Sequence, residues 1–103
     1  MAFTRAPFRS ESNRGSEGGW IIEDEEIPGA CHITLEEDCI IAPYGMTCSV
    51  DGLLMHTTWA GDYQEAMEKY AGMKNDLRKC ALTLDDEGFD GAAWCHEFVS
   101  QWL

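Results

Sequence analysis

The stretch that decides the fold is "YGMTCSVDGLLMHTTWA", Tyr44 to Ala60. Two alternations of apolar and polar residues flank the pair Asp51-Gly52. Glycine accepts positive φ at no steric cost, so this pattern predicts a β-hairpin closed by a two-residue type I′ turn. That turn implies a register. Val50 faces Leu53, Cys48 faces Met55, Met46 faces Thr57 and Tyr44 faces Trp59. These side chains then share the core face of a sheet, and Thr47, Ser49, Leu54, His56 and Thr58 share the opposite face.

Upstream, Cys31, Ile33 and Leu35 alternate with His32, Thr34 and Glu36, the period of a half-buried strand. Glu36-Glu37-Asp38 is expected to turn the chain, with Cys39-Ile40-Ile41 resuming it. Pro43 cannot donate to a ladder and marks a strand start, an edge or a bulge. Trp20-Ile21-Ile22 reads as a short strand ended by the acids Glu23 to Glu26 and then by a Pro28-Gly29 turn. Residues 9–19, "RSESNRGSEGG", have no apolar period and too little to bury against their ordering entropy. The expected organisation is a flexible polar tail over 1–19 and one domain over 20–103.

Downstream, Asp62 is placed to cap a helix, with Glu65 completing a capping-box-like pair. Tyr63, Ala66, Met67, Tyr70, Met73, Leu77, Cys80, Ala81 and Leu84 then form one apolar stripe, with Lys69, Asp76 and Lys79 on the other side. Asp90 can cap a second helix carrying Ala92, Cys95, Val99 and Trp102, widened by Trp94, Phe98 and Leu103. Strands come first and helices second. The expected fold is α+β: an antiparallel sheet of three to four strands, with a long helix and a second C-terminal helix packed on one face.

A chain of 103 residues has room for one domain, and 45% hydrophobic residues is a globular composition. The formal charge is −12. Such a field repels phosphates, which argues against nucleic acid and anionic membrane as direct partners and favours a basic protein. The cysteine count is odd, at five, and neither a secretory leader nor an apolar run of membrane-spanning length is visible. Free thiols in a reducing cytoplasm are expected. The Arg- and Ser-bearing tail is also compatible with an organelle transit peptide.

Several constellations bear on chemistry. Neighbouring residues of Glu23-Asp24-Glu25-Glu26 point to opposite sides of an extended chain, so the run is no metal cage by itself. It reads as a guarded sheet edge, a docking surface or, together with Glu36 to Asp38, a hard-cation site. "TLDDEGFDGAAW" superficially resembles a calcium loop, but Thr83 and Trp94 stand where acids are required. Cys31-His32 and Cys95-His96 supply zinc-ligand types at the wrong spacing. A nucleophilic thiol needs electropositive surroundings, and these are acidic. Cys39 is the thiol expected to be most exposed. His32 and His56 are expected together on the polar sheet face.

The function these features support is that of a small, acidic, non-enzymatic binding protein, needing no metal or cofactor. It would dock on or inhibit a basic, nucleic-acid-handling protein through Glu23, Asp24, Glu25, Glu26, His32, Glu36, Glu37, Asp38 and His56. The alternative is a small metal- or thiol-dependent enzyme using His32, His56 and nearby cysteines and acids.

Overall fold

A computed structural model describes residues 2–5 and 14–103. The chain forms β1 (Thr4–Arg5), β2 (Trp20–Ile27), β3 (Cys31–Glu37), β4 (Tyr44–Val50), β5 (Leu54–Ala60), α1 (Tyr63–Thr83) and α2 (Gly91–Gln101). The strands make one antiparallel meander in sequence order, β1-β2-β3-β4-β5. The α+β architecture is as expected, with five strands rather than three to four.

The additional pairing comes from the N-terminal segment. Thr4 and Arg5 pair with Glu26 and Glu25, and Arg14 bridges to Trp20. Residues 14–19, read from the sequence as tail, form a turn on the sheet, in which Gly18 N–H donates to the Gly15 carbonyl. The 6–13 part of the tail reading lies outside the described residues. β2 also runs on through the acids to Ile27 instead of stopping at them, with an irregularity between Ile21 and Glu23. Pairing with β3 along its length outweighs the weak strand preference of Glu and Asp.

The hairpin is present, but its register differs by one residue. Asp51 does not adopt positive φ; Gly52 alone does, at 70°. A type I′ turn needs both. The turn closes instead from Leu53 N–H to the Val50 carbonyl, and Val50 pairs with Leu54, Cys48 with His56, Met46 with Thr58 and Tyr44 with Ala60. A slip of one flips every side chain of β5. Leu54, His56, Thr58 and Ala60 face the helices; Met55, Thr57 and Trp59 face away. Gly45 makes room for this, since a Cβ there would lie 3.0 Å from the Trp59 ring. The Cys39–Ile41 segment is not a strand: Asp38 takes φ 55°, and Ile40 and Ile41 are 85% and 77% exposed.

The core lies between sheet and helices. Ile33 and Leu35 of β3 and Met46 and Val50 of β4 meet Ala66, Tyr70, Met73 and Leu77 of α1. Each large apolar side chain buried there stabilises the fold by roughly 1.5–3 kcal/mol. Asp62 caps α1 through Glu65 N–H at 2.8 Å, and Asp90 caps α2 through Ala93 N–H at 3.0 Å. α2 is anchored by buried Phe98, which stacks on Trp94, and by Trp102; Ala92 and Leu103 of the expected stripe are exposed. The Trp102 indole N–H donates to Asp76 of α1 at 2.9 Å, and its carbonyl accepts from His56 and Thr58 of β5.

Candidate functional site: the uncovered sheet face

Both helices pack on one face of the sheet, and among the described residues the other face carries no second layer of helix or strand. Cross-strand pairing orders its side chains into rows. One row holds Glu26, His32, Ser49 and Met55; the next holds Asp24, Thr34, Thr47 and Thr57. A third runs from Ile21 through Glu36 and Gly45 to Trp59. Acids therefore occupy the β2 side, hydroxyls the centre, and Met55 and Trp59 the β5 side.

Asp24 organises the acidic side. One of its carboxylate oxygens binds His32 Nε2 and also accepts from the Thr34 hydroxyl at 3.2 Å. The imidazole is thereby oriented on this face. Beside it a hollow of about 180 Å³ is lined by Gly15, Ser16, His32, Thr34, Thr47 and Ser49 among others. The Thr47 and Thr57 hydroxyls bond each other across β4 and β5 at 3.1 Å.

Glu36 belongs to this face by register but is fully buried. The 14–19 turn lies over it. Glu17 N–H and Gly19 N–H donate to its carboxylate at 3.2 and 3.1 Å. A Cβ on Gly15 would sit 2.1 Å from the Glu36 carboxyl carbon. The glycines that suggested flexibility are what allows the backbone to approach so closely.

The nine residues singled out from sequence are thus dispersed. Asp24, Glu26 and His32 share the uncovered face. Glu23 and Glu25 point to the helix side, as alternation requires. Glu25 accepts from Tyr70 and Lys74, both at 2.8 Å. Glu37 pairs with Trp20 and Tyr44 at the end of β3, and Asp38 is exposed in the following turn. His56 corrects the expectation that both histidines share the polar face: the register shift turns it toward α2, where it meets Phe98 edge-on at 6.2 Å. Trp59, Met55 and Thr57 were missed for the same reason. The turn at Asp51-Gly52 fixes their side, and the Asp-Gly pair alone does not distinguish a two-residue from a three-residue loop.

The thiols are poorly suited to nucleophilic work. All five are free, and burial raises the pKa of every one, Cys39 and Cys80 to about 11 and Cys48 to about 12. At Cys39, Glu36 and Glu17 add to the effect. Among the described residues no group of three or more His, Cys, Asp or Glu is arranged to hold a metal ion. No described helix is long and apolar enough to cross a membrane. Comparison with protein-family models, with curated proteins and with solved structures finds no match to this chain.

Proposed function

We propose that the chain is a small acidic binding protein that presents its uncovered sheet face to a basic protein surface. The observation that carries this reading is the division of labour between the two faces. The helix-side acid Glu25 is held by Tyr70 and Lys74; on the other face, which has no second layer among the described residues, Asp24 is held by His32 and Thr34, and Glu26 stands beside them. Guanidinium and ammonium groups suit such carboxylates. The hydroxyl rows and the Trp59 ring supply neutral contacts beyond them. With a net charge of −12, long-range steering would act on the same partners, and proteins that handle nucleic acid are rich in the matching surface. Glu36 serves such a face only indirectly, by holding the 14–19 turn at its margin.

The test is the double variant Asp24→Asn/Glu26→Gln compared with Glu23→Gln. Pull-down from native lysate at low and high salt, with mass-spectrometric identification, should recover basic proteins on the wild type and on Glu23→Gln. The double variant should lose them, mainly through slower association. Undiminished capture by the double variant would refute the reading. The Asp24–His32 contact is the observation that favours a hydrolytic or proton-transfer enzyme instead. That reading requires turnover that falls with His32→Gln, while partner capture stays constant.

A further inference from the structure

The two edges of the sheet are built differently. At one end β1 is only two residues long, and β2 beneath it carries four acids. At the other end β5, "LMHTTWA", is seven residues long and has no charge and no proline, and its pairing with β4 has no bulge. Charge, proline, bulges and shortness are the usual protections of an exposed edge. The β1–β2 side has shortness, charge and the irregularity between Ile21 and Glu23, whereas among the described residues the β5 strand itself has none of the four.

The backbone groups of β5 show which residues offer that edge. The Trp59 carbonyl is reached by the Lys69 ammonium at 2.8 Å, so it points away from β4. In an antiparallel ladder, main-chain groups of alternate residues point the same way. Those of Met55 and Thr57 therefore point outward too. We propose that this edge pairs with β5 of a second copy of the chain, antiparallel and centred on Thr57, joining the two sheets into one.

The strand is self-complementary in that register. Thr57 meets Thr57 across the two-fold axis, and Met55 of each copy meets Trp59 of the other. Met55 is 78% exposed in the single chain, and its thioether would then lie against an indole. Thr–Thr and aromatic pairs are favourable cross-strand neighbours, and no like charges oppose each other within the strands. The acids of the sheet lie on β2 and β3, two to three strand spacings away or roughly 10–14 Å. That exceeds the screening length of about 8 Å in physiological salt. Lys69 need not leave, because a carbonyl oxygen has two lone pairs and can accept the partner's Met55 N–H as well. The second copy fits better than a basic partner here, because no side chain of β5 carries a negative charge.

Sedimentation equilibrium of the full chain over a micromolar-to-millimolar range should show a reversible dimer, slightly favoured by added salt. Amide exchange should show Met55, Thr57 and Trp59 protected at high concentration and losing protection on dilution. Thr57→Lys places like charges on the axis, and Thr57→Pro removes only an outward-facing donor. Both variants should be monomeric where the wild type is dimeric. A wild type that stays monomeric at millimolar concentration would overturn the proposal. So would a dimer whose three edge amides exchange no more slowly than those of the single chain. The exchange measurement uses the wild type alone, so it decides even if a variant fails to fold.

Discussion

The Glu25 carboxylate on β2 lies 2.8 Å from the Lys74 ammonium on α1, under the Phe3 ring that sits 5.3 Å from the same ammonium. An acid that looks like part of a solvated run is therefore a tie between sheet and helix. Burial acts to raise its pKa, but hydrogen bonds from Lys74 and Tyr70, with the Lys74 charge, outweigh it and leave the pKa lowered. The unfolded chain, with the ordinary value of 4.5, then binds the proton more tightly than the folded one. The resulting stability is fully present above that value and is lost as pH falls through the lowered folded pKa. Glu25→Gln should cost roughly 1–2 kcal/mol at neutral pH, since Glu25 and Lys74 are both partly exposed. Urea melts across the acid range should show the gap from wild type closing over that window. A constant gap would mean that packing, not charge, holds the contact.

Glu36 and Gly19 form the corresponding tie on the other face, with the Gly19 N–H 3.1 Å from the carboxylate. Glu36→Ala would leave the Glu17 and Gly19 donors without their acceptor and open a cavity. An unsatisfied buried donor costs about 1–3 kcal/mol. Amide exchange at Glu17 and Gly19 should accelerate well beyond that of β3 and β4. Equal acceleration everywhere would show that the turn has no independent hold on Glu36.

Gly52 has φ 70°, and a Cβ added there would meet nothing within 4 Å. Any loss on substitution is therefore a backbone cost. Gly52→Val should destabilise by about 1–3 kcal/mol, and Gly52→Asn by less, because Asn tolerates the left-handed region. Equal denaturation midpoints for the two variants would contradict this turn.

Thiol reactivity offers a separate check. With Cys39 raised to about 11 although half-buried, and Cys48 to about 12, native protein at neutral pH holds very little thiolate. Titration of the denatured, unreduced chain should return five thiols, while native alkylation stays slow throughout and quickens only in strong base. Rapid labelling of one cysteine near pH 7 would revive the thiol-enzyme reading.

What was legible in the sequence follows from the range of the signal. The caps at Asp62 and Asp90 and the buried stripe from Ala66 to Ala81 are local periodicities, and both helices begin where those residues place them. The alternation of β3 and β4 is likewise local. The side of β5 is not: it depends on one dihedral at Asp51 and on distant partners, the Trp102 carbonyl for His56 and Thr58 and the bare Gly45 for Trp59. Glu36 was misplaced as a surface acid for the same reason, since its partners lie in a segment whose glycines carry no periodic signal. Asp24, Glu26 and His32 could be placed on one face from alternation alone, and His56 could not.

The position of α2 rests on another bare glycine. Gly72 sits in the interior of α1, where replacement by alanine ordinarily stabilises a helix by roughly 0.5–1 kcal/mol. Here a Cβ would lie 2.4 Å from the edge of the Trp102 ring and 2.9 Å from the next ring atom. The ring has little freedom to yield, because its N–H is held by Asp76 while the backbone carbonyl of the same residue is held by His56 and Thr58. Gly72→Ala should therefore reverse the usual sign and destabilise, by about 1–3 kcal/mol as for other overpacked sites. The loss should be local first. Trp102 fluorescence should shift toward the solvent-exposed value, and amide exchange should quicken in α2 before it does in β3. Trp102→Ala separates the two effects: on that background Gly72→Ala has no ring to meet, and the alanine should regain its helix-stabilising sign. A double-mutant cycle in which Gly72→Ala destabilises equally with and without the ring would show that α2 is held by Phe98 alone.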